Sequence, residues 1–430
     1  MRAQASKTIL VLAIVLLIGI VAGYGIGLAT IKPETVTITQ TPPATPTTTP
    51  TPPTGQQVTL RVIGPWAGAE MDAFMEVIKA FEQEHPNIKV EYLIYRAEDI
   101  ASVAPVQFAA GMTPGDVIFG WGWWIKKMGE EGHLYDLSGL VNTDEFIKGI
   151  FDQVKSGNSI YGLPFTAWAK PGFWYRKSFF ESHGLKPPET WSEFLSLLQN
   201  LKEKLNGPPI VSGDGMGWPL SDITEHFIIT FGGPELQLKL INGEVKFTDP
   251  QVKSIFENYL VPLIRDGYFS EPIEWTKAIE LWWNGKYALY FMGTWLTGMV
   301  PDPSDLGFFP LPGCKGVVMG TDYLAVPKYT KHPEEALLLA KWLATEGQRI
   351  HVGTKAGKFA TWLKVKVEDH WKPMQEVYSK LKDMTPLPDL DDTVGGDWQK
   401  LFWDQLKLLW VSPDSLNQVL ETLTANFPKK

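Results

Sequence analysis

Three observations predict an α/β protein with two domains. The 430 residues exceed the length of one ordinary domain. Apolar residues alternate over 58–62, 88–94 and 117–119, which predicts strands, and an amphipathic helix is predicted over 69–84. Strands and helices in this alternation form a parallel sheet with crossover helices. The chain becomes aromatic after Pro164, where we expect it to cross into the second domain.

The second half of the chain carries further start signals for helices and strands. Thr190 and Glu193 form a capping box ahead of a helix that is expected to reach about residue 205. Pro250 follows Thr248-Asp249 and predicts the first turn of another helix. The remaining predicted elements are strands at 287–292 and 322–327, a helix from Pro333, and two final helices at 398–410 and 413–425.

Composition and motifs exclude several classes of function. The formal net charge of −9 argues against nucleic acid and anionic membrane surfaces as partners. Cys314 is the single cysteine, so neither an intrachain disulfide nor a cysteine-based metal site is expected. The sequence contains no phosphate-binding, nucleophile-elbow or H-E-x-x-H motif, and its seven histidines are scattered. We therefore expect no cofactor, no metal site and no catalytic residues.

The N-terminal region predicts export. Arg2 and Lys7 precede an uncharged stretch over residues 8–31 whose length favours an uncleaved membrane anchor over a removed signal peptide. The basic residues place the N-terminus inside and the rest of the chain outside. Residues 32–57 are rich in threonine and proline, which predicts an extended linker. The expected location is the extracellular face of the membrane, with residues 1–31 as the tether.

The 18 tryptophans are the most unusual feature of the composition. Gly120-Trp121-Gly122-Trp123-Trp124 follows a short buried strand and precedes a helix predicted over 125–131, which favours an aromatic platform in a loop. The alternative is three core tryptophans. Other tryptophans also follow a glycine or end a strand, and these are Trp66, Trp168, Trp218, Trp295 and Trp398.

A sugar explains this pattern best, because one apolar face of a pyranose stacks on indole while its hydroxyl groups need polar partners. The polar residues near these loops are Glu70, Arg96, Asp214, Asp222 and Asp322, and for each a surface or capping role is equally open. Asp389, Asp391 and Asp392 lie close enough in sequence to hold a cation, but the prolines at 386 and 388 favour a solvated loop.

Several blocks resemble the extracellular solute-binding proteins of ABC importers, in the group of maltose-binding protein. The strand and helix at 115–137 are similar to that family's third strand and next helix. Tyr161-Gly162-Leu163-Pro164, then 174–180 and 184–191, resemble its hinge and the first helix of its second lobe. The segment 288–295 resembles the strand that ends in Gly-x-Trp, and 325–336 resembles a late strand and helix of the first lobe. The anchor and linker without a lipid-bearing cysteine resemble archaeal members.

The resemblance implies a two-lobe periplasmic-binding-protein fold of type II, with crossing segments at a hinge and a ligand cleft between the lobes. Lobe 1 is expected at 58–165 plus 320–356, and lobe 2 at 166–319 plus 357–430. The implied function is capture of a mono- or oligosaccharide and its delivery to ABC permease subunits by a monomeric protein that is not an enzyme.

The resemblance also implies roles for single residues. It places Trp295 and Trp398 against the sugar, with Trp121 or Trp123 on the opposite wall. For Glu70 the resemblance matches only the region of the family's polar contacts and not the residue itself. The predicted ligand-binding set is Trp66, Glu70, Trp121, Trp123, Trp168, Trp218, Asp222, Trp295, Asp322 and Trp398. Where the family presents an acidic residue after its third strand, this chain has indoles, so a ligand other than maltose is expected.

Two alternatives of different class remain open at the level of the sequence. A secreted glycoside hydrolase is also rich in cleft tryptophans, and 48 acidic residues offer many carboxylate pairs. A receptor for peptides or polyamines is the second alternative, and a polyamine site needs acidic residues enclosed by aromatic rings.

Overall fold

The computed structural model describes residues 57–215 and 217–428, except for the side chain of Glu98. These residues belong to one compact unit of the chain. The expected anchor and all of the expected linker but Gln57 lie outside the described residues. No helix within the described ranges combines the length and the apolar character that crossing a membrane requires.

The strands are numbered in chain order. They are β1 Val58–Gly64, β2 Ile88–Ile94, β3 Val117–Gly120, β4 Lys155–Ser156, β5 Ser159–Ile160, β6 Leu163–Lys170, β7 Phe173–Arg176, β8 Ile210–Val211, β9 Gly213–Asp214, β10 Ile273–Glu274, β11 Leu289–Phe291, β12 Leu306–Phe309, β13 Gly316–Ala325, β14 Phe359–Ala360 and β15 Thr385–Leu387.

The α-helices are numbered in the same way. They are α1 Gly68–Glu84, α2 Ala97–Ala109, α3 Gly122–Glu130, α4 Lys177–Ser182, α5 Trp191–Leu205, α6 Trp218–Gly232, α7 Pro234–Ile241, α8 Pro250–Ile255, α9 Val261–Arg265, α10 Trp275–Trp283, α11 Leu296–Met299, α12 Pro333–Trp342, α13 Gln348–Gly353, α14 Lys372–Leu381, α15 Leu390–Val394, α16 Gly396–Val411 and α17 Leu416–Ala425. Single π-helical turns, Phe256–Leu260 and Leu343–Gly347, join α8 to α9 and α12 to α13.

The larger sheet has the strand order β14-β6-β13-β3-β1-β2, with β15 paired to β13. β1 is parallel to both β2 and β3, as the alternation of strands and helices predicts. β13 is antiparallel to β3 and to β6. Its register against β6 shifts between Thr321 and Tyr323, so Asp322 lies at a break in the regular pairing.

A second sheet of four strands, in the order β12-β7-β11-β8, forms the other lobe. The chain leaves the first sheet at the end of β6 and enters the second at β7, with the two residues Pro171 and Gly172 between them. A Cβ atom at Gly172 would lie 2.3 Å from the carbonyl oxygen of Phe309. The crossing is therefore as tight as a glycine allows.

Two large hydrophobic clusters correspond to the two sheets. One packs apolar side chains from residues 60–165 together with 323–365. The other packs residues 173–311 together with 390–423. A third cluster joins Ala167 and Ala169 of β6 to Trp174 of β7, so apolar packing continues across the crossing. The exact lobe boundaries stay a prediction.

Local signals for helices are confirmed at several positions. The Thr190 hydroxyl accepts a hydrogen bond from the backbone N–H of Glu193, whose carboxylate accepts one from the N–H of Thr190. α8 begins at Pro250 and α12 begins at Pro333. Proline fits a first helical position because its missing N–H is not needed there.

The expected start of α3 was wrong. The helix begins at Gly122 and not at residue 125, with Trp121 in the extended N-cap position. Trp123 and Trp124 therefore lie in its first turn rather than in a loop. Trp124 faces inward at helical spacing with Ile125 and Met128 and is a core residue, as the alternative interpretation held for it.

Candidate ligand-binding site

Trp295 is the centre of a group of indoles that joins β6 of the larger sheet to residues of the second lobe. Its ring centroid lies 5.5 Å from that of Trp168, at an angle of 90° between the ring planes. Trp218 lies 5.7 Å from Trp295 on another side, and Trp275 lies 5.4 Å from Trp218. All four side chains are half-buried, so each keeps some exposed surface. We call these four residues the indole group.

Two glycines make room for these rings. A Cβ atom at Gly293 would lie 2.0 Å from the ring of Trp295, and one at Gly320 would lie 2.1 Å from the ring of Trp168. Gly320 belongs to β13, directly opposite Trp168 of β6. The indole of Trp168 therefore occupies the space that a side chain at Gly320 would fill.

Lys358 connects the indole group to charged residues of the first lobe. Its ammonium lies 3.0 Å from a carboxylate oxygen of Asp322 and 3.7 Å from one of Glu70. The same ammonium lies 5.9 Å from the ring centroid of Trp295 and 6.0 Å from that of Trp66. Lys358 is nearly completely buried, so its charge acts on these neighbours in a low dielectric.

Glu70, Asp322 and Lys358 form a charged triad. Burial is the largest influence on the pKa values of Glu70 and Lys358. Burial raises the pKa of Glu70 to about 7, although the neighbouring Lys358 ammonium opposes the rise. Burial lowers the pKa of Lys358, but Asp322 and Glu70 outweigh it and the net pKa is raised. Lys358 is therefore charged at neutral pH, and Glu70 exchanges its proton near neutrality.

Trp66 has a more enclosed position than the sequence predicted. It is 3% exposed and packs against Phe119 at 4.6 Å between ring centroids. Its backbone N–H donates to the hydroxyl of Tyr92 over 2.9 Å. Trp66 thus contributes to the core of the first lobe and lies within 6.0 Å of the Lys358 ammonium.

Trp121 and Trp123 form a separate pair. Their rings stack at 5.9 Å with 17° between the planes. Trp123 also lies over Gly395, where a Cβ atom would be 2.6 Å from the Cγ atom of its ring. Through this contact α3 of the first lobe touches the end of α15 of the second. Among the described residues no ring contact joins this pair to the indole group.

Asp222 does not face an open cleft but belongs to a buried set of carboxylates. The ammonium of Lys170 contacts Asp222 and lies 2.5 Å from Asp389. It also lies 4.9 Å from the ring centroid of Trp168 and 5.9 Å from that of Trp218. Lys170 thus separates the indole group from the acidic residues behind it. We call these the acidic cluster, and its members are Asp222, Glu225, Asp389, Asp391 and Asp392.

The expectation of a solvated loop at residues 389–392 was wrong. Asp389 and Asp391 are 3% and 1% exposed. Burial, followed by the charges of Asp389 and Asp391, raises the pKa of Glu225 well above its ordinary value. Burial also raises the pKa of Asp389, but the contact with Lys170 outweighs it and the net pKa is lowered. The Lys170 ammonium links this buried segment to the indole group.

The structure does not place Trp398 among these residues. Its indole is 3% exposed and stacks on Phe402 at 5.0 Å. The indole N–H donates to the backbone carbonyl of Leu423 over 3.2 Å. Trp398 therefore packs α16 against α17 in the core of the second lobe, and the expectation that it faces a sugar is corrected.

Sequence reasoning missed Lys358, Lys170 and Trp275. Lys358 stands in Gly357-Lys358-Phe359, and a single lysine there has no distinctive pattern. Lys170 is followed by Pro171-Gly172 at the crossing, which was a usable signal for a residue between the lobes. Trp275 begins a helix and gives no sign of its contact with Trp218.

The two lobes are joined at a tight crossing, and indoles and paired charges lie close to it. The profile of the family described as bacterial extracellular solute-binding protein matches residues 67–350, and the chain belongs to this family. It is an extracellular solute-binding protein of an ABC transporter.

Similar proteins agree with this assignment. An ABC transporter extracellular-binding protein of Pyrococcus horikoshii, described as uncharacterized, is 61% identical over 96% of both chains. The multiple sugar-binding protein of Streptococcus mutans is 26% identical over 64% of this chain and 69% of its own. The maltose-bound structure of T. maritima MalE3 superimposes with a TM-score of 0.72 at 18% identity, over 86% of this chain and 99% of its own. This last likeness shows the two-lobe fold.

Proposed function

We propose that this protein captures a mono- or oligosaccharide between its lobes and delivers it to the permease of an ABC importer. The observation that carries the proposal is the right-angled contact of Trp168 and Trp295 beside the paired charges of Glu70, Lys358 and Asp322. Indoles present flat apolar surfaces, and the charged groups offer hydrogen bonds that are already oriented by their partners.

This combination matches the two surfaces of a pyranose. The C–H face packs on an indole, and the hydroxyl groups reach carboxylate oxygens and ammonium hydrogens at the edge of the ring. Relatives support the assignment, since one is described as a multiple sugar-binding protein and a structural neighbour holds maltose. The resemblance in sequence blocks points in the same direction.

The proposed sugar site spans both lobes, with lobe 1 at 58–165 plus 320–356 and lobe 2 at 166–319 plus 357–430. Glu70 and Asp322 act from the first lobe, with Trp66 behind them, and Trp168, Trp218 and Trp295 act from the second. Trp121 and Trp123 hold the lobes together at the contact with Gly395. A ligand favours the closed arrangement because it contacts both lobes at once.

We further propose that the bound sugar leaves chemically unchanged and that the protein acts as a monomer. The support for this proposal is the family itself, since the relative that matches along nearly the whole chain is described as an ABC transporter extracellular-binding protein. Residues 8–31 are proposed as the membrane anchor and 32–57 as the linker, on the evidence of their sequence alone.

Tryptophan fluorescence titrated with a panel of sugars, peptides and polyamines tests the function. We expect a saturable change in emission with at least one saccharide, because a sugar stacked on Trp295 alters its surroundings. The same samples, analysed for products by chromatography, should contain the sugar unaltered. A response to peptides or amines alone, or turnover that is lost in Glu70→Gln, contradicts the proposal.

A further inference from the structure

If all five of its carboxyl groups were ionised, the acidic cluster would carry more negative charge than Lys170 neutralises. It brings five carboxylate side chains together from α6 and from the segment 389–392. Lys170 is the cation that contacts it among the described residues. Charges taken out of water are stable only when they are paired or bound to a metal. The fully ionised cluster therefore has room for a further positive charge.

Several oxygen atoms around the cluster lack a hydrogen-bond donor. These atoms are buried and have no hydrogen-bond partner in the described part of the chain. They are Oδ2 of Asp222, Oε1 of Glu225 and Oε1 of Gln237. Lys170 contacts the other oxygen of Asp222, and the amide of Gln237 donates to the other oxygen of Glu225. Leu390 also donates its backbone N–H to that second oxygen of Glu225 over 2.8 Å.

Gln237 is an independent sign of a ligand, since it is a neutral residue of α7 with no exposed surface. Its amide nitrogen donates to Glu225, and its carbonyl oxygen is buried without a donor in the described part of the chain. A buried amide oxygen without a donor costs free energy unless another group binds it. Carbonyl and carboxylate oxygens together form the ligand set of a hard cation.

We propose that Asp222, Glu225 and Asp389, with the amide oxygen of Gln237, bind a calcium ion. The carboxylates each offer an oxygen atom within 4.8 Å of the others. Two oxygens bound to one Ca²⁺ at about 2.4 Å lie at most about 5 Å apart, so this spacing suits calcium. Mg²⁺ requires shorter bonds and a stricter geometry than irregular side chains from three segments provide.

The position of this site gives it a structural effect. Lys170 ends β6 two residues before the tight crossing at Gly172, and its ammonium faces both Trp168 and the cluster. The segment 389–392 leads directly to Gly395, on which Trp123 of the other lobe packs. A bound calcium ion would fix these parts relative to one another. The site itself does not depend on which solute the cleft holds.

Calorimetric titration of the full chain with CaCl2 alone, after chelator treatment and dialysis, tests the proposal. We expect binding of one ion per chain and a rise in the unfolding temperature with CaCl2. Glu225→Gln and Asp222→Asn should each weaken binding at least tenfold. Asp404→Asn, which changes an exposed carboxylate of α16, is the matched control and should bind calcium like the unaltered protein.

Terbium luminescence gives a second measurement that does not depend on the stability of a variant. Tb³⁺ replaces Ca²⁺ at oxygen sites, and Trp403, whose N–H donates to Asp391 over 2.6 Å, is near enough to sensitise it. Emission excited through tryptophan and displaced by CaCl2 supports the site. An unaltered protein with no heat of binding, no shift in unfolding and no displaceable emission overturns it, as does equal binding in Glu225→Gln and Asp404→Asn.

Discussion

Trp295 lies at the centre of the indoles in the proposed sugar site. It touches Trp168 and Trp218 by ring contact and lies near the ammonium of Lys358. Gly293 leaves the space that its ring fills. Trp295 follows β11 and directly precedes α11, in the N-cap position of that helix.

Replacing Trp295 by alanine should weaken saccharide binding more than tenfold while the fold stays intact. The loss reflects the apolar surface that a pyranose stacks on, and tenfold corresponds to about 1.4 kcal/mol. Calorimetry with the best sugar of the panel measures it. Trp283→Ala is the control, because that indole packs on Arg176 at 4.8 Å and has no ring contact with the indole group in the described structure. Equal affinities in the two variants would remove Trp295 from the site.

Glu70 should make stability depend on pH. Because burial raises its pKa from 4.5 to about 7, the folded protein keeps a proton that the unfolded chain releases. The free energy of unfolding should therefore fall as the pH rises between these values, by at most about 3 kcal/mol from this group. Chemical denaturation between pH 5 and 7.5 measures this effect. Over that range the free energy of unfolding of Glu70→Gln should fall less than that of the unaltered protein.

The control for this experiment is Glu76→Gln on the exposed face of the same helix. It should follow the pH profile of the unaltered protein. If Glu70→Gln also follows that profile, then Glu70 is ionised throughout this range. Other interactions would then offset the free-energy cost of burying its carboxylate.

At the scale of elements, α3 and α15 form a contact between the lobes through one ring and one glycine. Gly395 has a φ of +65° and lies beneath the ring of Trp123. Helices α1 and α11 make a second contact between the lobes, beside Glu70 and Trp295. Both contacts join residues of the first lobe to residues of the second.

Gly395→Ala should weaken saccharide binding about tenfold, because its Cβ atom would displace Trp123 and hold the lobes apart. Gly396→Ala is a matched control, since Gly396 has a φ of +59° and no atom within 4 Å of its added Cβ. Both variants place alanine at a positive φ, and the ψ of −164° at Gly395 adds strain of its own, so the difference in affinity is assigned to the contact only if both variants keep the helix content of the unaltered protein. Calorimetry measures affinity, and circular dichroism checks the helices. Equal loss in both variants would assign the effect to strain.

At the scale of the whole molecule, the two hydrophobic clusters give each lobe its own core, and a third joins them at the crossing. Proteins of this kind unfold in one step only when the lobes are coupled strongly enough. A ligand that contacts both lobes increases this coupling.

Saccharide at about 100 times its dissociation constant should raise the free energy of unfolding by about 2.7 kcal/mol. Differential scanning calorimetry should show the transitions of both lobes moving upward together. A shift of one transition, with the other unchanged, would mean that the sugar binds to a single lobe and would contradict the proposed interlobe site.

The sequence by itself determined the elements and the class of fold. Several elements depend only on neighbours a few residues away, so local sequence patterns reveal them. They are the strands at 58–64 and 88–94, the capping box at Thr190, and the helices α8 and α12 that begin at prolines. Trp295 was recognisable for the same reason, since it follows a strand and a glycine. The resemblance in short blocks indicated the family.

Only the tertiary structure decided which residues meet. Lys170 and Asp389 are separated by 219 positions, and Lys358 joins Glu70 to Asp322 from the far end of the chain. Asp389–Asp392 looked solvated because a charged segment after prolines is usually exposed, yet it is buried by the contact with Lys170. Trp398 looked like a ligand contact and is core. Separation along the chain carries no information on such contacts, because they are set by how the sheets and helices pack.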